Sequence, residues 1–421
     1  MLQIFFVGQG ACSCLLNYFV SAGGSKPPPY ICMERKKIML KVLMAGGGTG
    51  GHINPALAIA SIIKEHHPDA EFLFAGTPNG MEARLIPKAG YEFAPIKVSG
   101  FQRKITPKNL VRNARAAAYL TASGHRSKQI IDNFKPDIVI GTGGYVSYPI
   151  LAKAVQMGIP AAIHEQNAFP GVTNRLLAKN VDEVMLTVEE AAGHLDACAK
   201  YTVTGLPVRA GFSAGALSRA EAKKKLGLDD SLCIFSFGGS LGAGAINNGA
   251  AALLKWEKEN NIPVNHIHGF GKMGHETFLP KLRELGIDYE NDKHLIIKEY
   301  FDNMDVCTAA ADLIICRSGA STISELQAMG RASVLIPSPN VTANHQYHNA
   351  MVLGRAGAAV VIEEKNLTDE LLIEKVGGLI NEPQRLDSLA RRAAETYVSD
   401  TPDRIYSVID RLINKNRSQD Q

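Results

Sequence analysis

Twice in this chain a short apolar run empties into a cluster of glycines that opens a helical pattern, and this repetition constrains the fold more than any other feature. The first run, 40–45, leads into Gly46-Gly47-Gly48-Thr49-Gly50-Gly51-His52-Ile53-Asn54-Pro55; the second, 232–237, leads into Gly238-Gly239-Ser240-Leu241-Gly242-Ala243-Gly244. A strand that ends in glycines at a helix start leaves backbone N–H groups and the positive end of the helix dipole open to an anion, and glycine lets the backbone come close to it. A tight turn needs fewer small residues, so both loops are read as phosphate-type sites. Asn54 is a good N-cap and Pro55 a good first helical residue, which places the first helix start there. The second helix is expected to begin near Ala245.

Further strand-like runs fall at 71–75, 137–141, 161–164, 183–187 and 201–204, and after the second loop at 264–268, 294–297, 312–316, 333–336 and 359–362. Strands that alternate with helical patterns form parallel sheets covered on both faces. The 421 residues, 46% hydrophobic and 20% charged, suffice for two such domains and exclude a disordered or fibrous chain. Two doubly wound α/β domains facing a cleft follow, with Gly205-Leu206-Pro207-Val208-Arg209 as the linker. Ligands of such sheets bind beyond the carboxyl ends of the strands.

Several chemistries are excluded on the same residues. The pattern Gly46, Gly48, Gly51 fits a dinucleotide loop, but the second strand ends Phe74-Ala75-Gly76-Thr77 without the acid that holds a ribose, so a nicotinamide cofactor is not expected. No Gly-Lys-Ser/Thr follows either loop, which removes the nucleotide-triphosphate reading. A formal charge of +4 is too small for a general nucleic-acid binder. Seven cysteines without zinc spacing read as reduced thiols, His266-x-His268 reads as a shared strand face, and no run is long enough to span a membrane. No metal is expected. Residues 1–38 hold three of the cysteines and Pro27-Pro28-Pro29 and make a poor secretory signal, since no Lys or Arg precedes Lys26. They are expected to be a disordered or non-native extension, with Met33 or Met39 as the natural start.

A third loop, Arg317-Ser318-Gly319-Ala320-Ser321-Thr322-Ile323-Ser324-Glu325, follows the run 312–316. Thr322-x-x-Glu325 fits a capping box. The alternative is that Glu325 faces the cleft, where the two oxygens of a carboxylate match the vicinal hydroxyls of a ribose.

Taken together these loops resemble the MurG family, N-acetylglucosaminyltransferases that convert lipid I to lipid II in peptidoglycan synthesis. The resemblance is carried by Gly47 to His52, Gly143-Gly144-Tyr145-Val146-Ser147, His164-Glu165-Gln166-Asn167, Pro207-Val208-Arg209, Gly238-Gly239-Ser240, Arg317-Ser318-Gly319-Ala320 with Glu325, and Gln346-Tyr347 with Asn349-Ala350. It implies a GT-B fold of two Rossmann-like domains and inverting transfer of GlcNAc from UDP-GlcNAc to the C4 hydroxyl of the muramoyl sugar on undecaprenyl diphosphate. Another UDP-sugar enzyme of the same architecture, such as a UDP-GlcNAc 2-epimerase or a glycolipid galactosyltransferase, is the alternative. The implied domains are an acceptor and membrane domain at 39–205, a UDP-GlcNAc domain at 206–395, and a terminal helix at 396–421 that packs back on the first domain. Thr49, Gly50, Gly51, Asn167, Arg209, Ser240, Phe301, Ala320, Ser321, Thr322, Ile323, Ser324, Glu325 and Gln346 would contact UDP-GlcNAc. Gly48, Thr49, Gly50, Gly51 and Tyr145 would take the acceptor diphosphate. Leu206, Leu241 and His345 depart from the family pattern.

Displacement at an anomeric carbon needs a base at the acceptor hydroxyl and a counter to the charge growing on the diphosphate. His52 and Glu165 are the rival bases. A helix N-terminus with Arg209 can meet the diphosphate without a metal, and no cofactor is expected. The acceptor is a membrane lipid. The segment 93–131 carries Lys97, Arg103, Lys104, Lys108, Arg112, Arg115, Arg126 and Lys128 with no acid, interspersed with Phe101, Ile105, Leu110, Val111, Tyr119 and Leu120. It is expected to dock a peripheral enzyme on the anionic cytoplasmic face of the cell membrane.

Overall fold

Every β-ladder among the described residues of the computed structural model is parallel, so the chain crosses over a helix between each pair of neighbouring strands. The structure describes residues 39–98, 106–209, 211–213, 215 and 217–419; the N-terminal extension lies outside them. Residues Met39–Gln421 form one compact unit.

The first sheet contains β1 (Lys41–Gly46), β2 (Glu71–Gly76), β3 (Glu92–Pro95), β4 (Ile138–Gly143), β5 (Ala161–Glu165), β6 (Glu183–Leu186) and β7 (Tyr201–Val203), in the order β3-β2-β1-β4-β5-β6-β7. The second contains β8 (Leu232–Phe237), β9 (Val264–Gly269), β10 (Leu295–Lys298), β11 (Leu313–Cys316), β12 (Ala332–Leu335) and β13 (Val360–Val361), in the order β10-β9-β8-β11-β12-β13. In both sheets the winding reverses beside the first strand, between β1 and β4 and between β8 and β11. The glycine loops therefore open at the two switch points, where a doubly wound sheet leaves a crevice. The sequence pattern missed β3, a four-residue edge strand with one buried position.

Central strands are mostly apolar because helices cover both faces. Val42, Met44, Ile138 and Ile140 pack on one face with Ile53, Ile59 and Ile63 of the helix Gly50–His66. Leu43, Val139, Ile163 and Val184 pack on the other with Ile150 and Leu151. Ile405, Val408, Ile409, Leu412 and Ile413 of the last helix, Thr401–Gln419, complete the first of these clusters. Burial of each such side chain contributes roughly 1.5–3 kcal/mol.

The pair His266 and His268 lies on one face of β9 inside the second sheet's packing, both fully buried. Ser236 Oγ sits between them, 2.9 Å from His266 Nε2 and 2.7 Å from His268 Nδ1, and both Glu257 oxygens stand 3.0 Å from His266 Nδ1. The pair is a buried polar ladder between neighbouring strands.

Candidate functional site

The first glycine loop is shorter than the sequence pattern implied, because the helix starts at Gly50 with Thr49 as its N-cap residue. His52 and Ile53 N–H both donate to Thr49 O, at 3.1 and 3.2 Å. Asn54 is not the cap, and Pro55 lies inside the helix. At that position proline forfeits only the bond to the Gly51 carbonyl, while Thr142 Oγ1 donates to His52 O at 2.8 Å and pins the new first turn to the neighbouring strand. The second loop behaves similarly, its helix running Gly244–Glu259.

Beneath the first loop lies a carboxylate that no local pattern announced. Glu82 is fully buried; its Oε2 accepts Gly48 N–H at 3.0 Å, and its Oε1 accepts Thr77 N–H at 2.9 Å and Thr77 Oγ1–H at 2.6 Å. Burial alone would raise this carboxyl, but the Thr77 hydroxyl and the backbone N–H groups hold it below its ordinary value. Gly48 N–H is thus spent on Glu82, which removes it from the donors expected for an acceptor diphosphate. Thr49, Gly50 and Gly51 remain at the open end of the helix. Gly144, at φ +82°, closes the other side of the loop, where a Cβ would collide with the Gly47 carbonyl oxygen. Tyr145 follows it and is 63% exposed, free to meet a ligand.

The two rival bases differ sharply in surroundings. The His52 ring packs over Gly143, where a Cβ would stand 2.9 Å from His52 Nδ1. His52 Nδ1 lies 3.1 Å from Gln166 Oε1, and its Nε2 has no hydrogen-bond partner among the described residues. Glu165, by contrast, is 1% exposed and saturated. Its Oε1 accepts from Asn167 N at 2.9 Å and Asn167 Nδ2 at 3.1 Å, and its Oε2 from Gly171 N at 3.0 Å and Asn174 Nδ2 at 2.8 Å. All four contacts serve the turn after β5. The arrangement is that of a loop clamp, and the geometry disfavours Glu165 as a proton acceptor.

Across the linker, Arg209 and Glu325 meet. Arg209 Nε donates to Glu325 Oε1 at 2.7 Å, with the Arg209 guanidinium over the Phe212 ring at 4.7 Å. Burial pushes the Glu325 carboxyl above its ordinary value while Arg209 pulls it back. The capping box does not form: Gly319 is the N-cap residue of the helix Ala320–Ala328 and no side chain caps it, so Thr322 and Glu325 sit inside the helix. Glu325 is therefore free of a capping duty.

A cavity of about 400 Å³ opens at the second glycine loop, lined by Gly238, Gly242, Arg317, Ser338, Gln346 and Glu364 among others. Arg317 pairs with Glu364 and donates from Nη1 to Ile336 O at 3.0 Å. Gln346 Oε1 accepts Ser338 N–H at 2.9 Å, leaving its amide nitrogen for a ligand. Ser240 is exposed on the loop. The Phe301 side chain is 3% exposed in the core against Phe235, so only its backbone is available to a base. Asn349, to which the sequence reading gave no role, joins the two halves: its Oδ1 accepts Ala168 N–H at 2.8 Å and its Nδ2 donates to Asn167 Oδ1 at 3.1 Å and Ser318 O at 3.3 Å. Asn167 consequently has both ends of its amide engaged.

Among the described residues no group of three or more His, Cys, Asp or Glu side chains is placed to hold a metal ion. Residues 42–186 match the glycosyltransferase family 28 N-terminal domain and residues 233–405 its C-terminal domain. The chain is 43% identical over 380 residues to the UDP-N-acetylglucosamine–N-acetylmuramyl-(pentapeptide) pyrophosphoryl-undecaprenol N-acetylglucosamine transferase of Acetivibrio thermocellus, covering 90% of this chain and 100% of that one. A relative of the same description from Desulforudis audaxviator is 40% identical over 377 residues, covering 89% and 99%. Among solved structures, Acinetobacter baumannii MurG superposes with a TM-score of 0.71 at 28% identity, covering 88% of this chain and 99% of that one.

Proposed function

The chain belongs to glycosyltransferase family 28 and, within it, to the MurG enzymes, and on that premise we propose a division of labour between its two glycine loops. The enzyme transfers GlcNAc from UDP-N-acetylglucosamine to the N-acetylmuramyl-(pentapeptide) pyrophosphoryl-undecaprenol acceptor, converting lipid I to lipid II on a GT-B fold. The observation that carries the residue-level reading is the Arg209–Glu325 pair beside the second switch point. When the donor enters, Glu325 exchanges Arg209 for the two ribose hydroxyls, and Arg209 turns to the diphosphate. Ser240 and the helix start at Gly244 add N–H donors and the dipole there, so the leaving charge is met by fixed groups. Phe301 backbone and the turn Ala320 to Ser324 face the uridine, and Gln346 reaches the sugar. Thr49, Gly50, Gly51 and Tyr145 hold the acceptor diphosphate, and His52 takes the proton from the C4 hydroxyl as that oxygen attacks. We divide the chain accordingly into an acceptor domain at 39–205, a donor domain at 206–395 and a closing helix at 396–421.

UDP release tests the reading. It is expected to rise on addition of a lipid I analogue and to stay low with UDP-galactose as donor. Release that ignores the lipid, or a 2-epimerised sugar product, would overturn it.

The acceptor is lipid-borne, and no described helix is long and apolar enough to cross a membrane. Peripheral docking through the segment 93–131 on the cytoplasmic face supports access to it. The backbone of that segment is mainly the helix Pro107–Phe134, while 99–105 lie outside the described residues. At the helix's far end Lys128 pairs with Asp132 at 2.6 Å and Arg126 Nε reaches Pro95 O at 3.4 Å, so these two are partly engaged. Sedimentation with anionic vesicles is expected to weaken as salt rises. Neutralising Lys108, Arg112 and Arg115 together is expected to lower affinity on the order of 100-fold, at about 1 kcal/mol for each charge. Binding that survives both changes would exclude this face.

A further inference from the structure

We propose that Gln166 and His164 are positioning residues that hold His52 with its proton on Nδ1, leaving Nε2 as the basic nitrogen, through a hydrogen-bonded chain that ends on the interdomain linker at Gly205. The inference rests on reading His52 as the proton acceptor of the reaction.

The chain of contacts leaves one assignment of hydrogens. Its far end is the Gly205 carbonyl, which only accepts, and His164 Nε2 lies 2.9 Å from it. His164 Nε2 therefore carries a hydrogen. The ring is fully buried, and burial draws its pKa down to about 4 against the opposing pull of that carbonyl, so it is neutral and has a single N–H. Its Nδ1 is then a bare acceptor.

One end of the Gln166 amide stands 2.9 Å from the His164 carbonyl oxygen and 3.2 Å from His164 Nδ1. Both are acceptors, so this end is the nitrogen, and its two hydrogens go one to each. The flipped amide would set an oxygen against two acceptors inside the protein, since Gln166 is only 3% exposed. Gln166 Oε1 consequently faces His52 Nδ1 at 3.1 Å, and an amide oxygen only accepts. His52 must donate from Nδ1. A free imidazole in water favours the other tautomer, so the chain imposes the minor form and gives Nε2 its lone pair. Because Gly205 belongs to the segment that joins the two halves, the placement of the base is tied to the placement of the linker.

The test uses the full chain labelled with 15N in its imidazoles and a long-range 1H–15N correlation recorded at alkaline pH, where imidazoles are neutral. The His52 signal is identified by its loss in His52→Asn. Wild type is expected to show protonated Nδ1 and bare Nε2 at His52. Gln166→Met is expected to return His52 to the Nε2–H form and to lower kcat roughly 10- to 100-fold with KM for UDP-GlcNAc within about twofold. A wild-type His52 with its proton on Nε2 overturns the proposal, as does an unchanged tautomer in Gln166→Met. The wild-type spectrum decides even if the variant does not fold. Failure of the base reading itself shows separately, as turnover retained in His52→Ala while the tautomer stands as expected.

Discussion

Alanine in place of His52 is expected to slow transfer roughly 10²- to 10⁴-fold, the usual worth of a positioned base, with KM for UDP-GlcNAc within about twofold. The asymmetry follows from where the residue sits. His52 stands at the start of the first sheet's loop helix, on the acceptor side, whereas Arg209, Ser240, Glu325 and Gln346, proposed to hold the donor, lie in the linker and the second half. Its ring is half-buried over Gly143 with Nε2 unengaged among the described residues. Glu165→Gln is expected to behave differently. An amide there turns one acceptor into a donor that faces either the Asn167 N–H groups or those of Gly171 and Asn174, at a cost of about 1–3 kcal/mol for the unmade bonds. The variant should lose thermal stability and recover turnover at low temperature. Near-normal turnover in His52→Ala would remove it from the mechanism.

Glu325→Gln is expected to raise KM for UDP-GlcNAc roughly 10- to 100-fold, because two hydrogen bonds from ribose hydroxyls to a charged oxygen pair weaken and such bonds contribute about 1.5–3 kcal/mol. The pair it forms with Arg209 does not offset much of this. Arg209 has 53% of its side chain exposed, and a half-solvated ion pair adds only about 0–1 kcal/mol, so the donor displaces it at little cost. Arg209→Met should therefore lower kcat more than it raises KM, since the diphosphate gains charge only as the bond to the sugar breaks. Steady-state kinetics of the two single variants and the double variant would measure this. KM within twofold of wild type in Glu325→Gln would place the ribose elsewhere.

The strands were legible because a doubly wound sheet buries both faces, and 42–45, 138–141 and 313–316 read as unbroken apolar runs. The edge strand β3 offered no such run, with Glu92 and Pro95 exposed at its ends. One helix start was misread: Asn54 is a good cap by local chemistry, but the helix begins at Gly50, its first turn anchored from a neighbouring strand by Thr142. Of the two readings open at Thr322 and Glu325, the capping box does not form, because Gly319 opens that helix directly. The glycine loops and Glu325 stood out because their composition is unusual for turns. Glu82 did not, and Asn349 did so only through the resemblance and without a role, since each acts on backbone far away in the chain: Glu82 on Gly48, Asn349 on Ala168. A single sequence carries no signal for such pairings.

The stereochemistry of the product tests the account most directly. A lone base on the acceptor side and a clamped Glu165 leave direct attack on the anomeric carbon as the route, so the GlcNAc of the product should be β-linked, inverted from the α-linked donor, and the enzyme should gain no mass during turnover. An α-linked product by NMR would exclude direct attack from the face opposite the leaving group, and a glycosyl adduct in the intact mass of enzyme trapped mid-turnover would mean that a protein nucleophile attacks first; either would contradict the role given to His52.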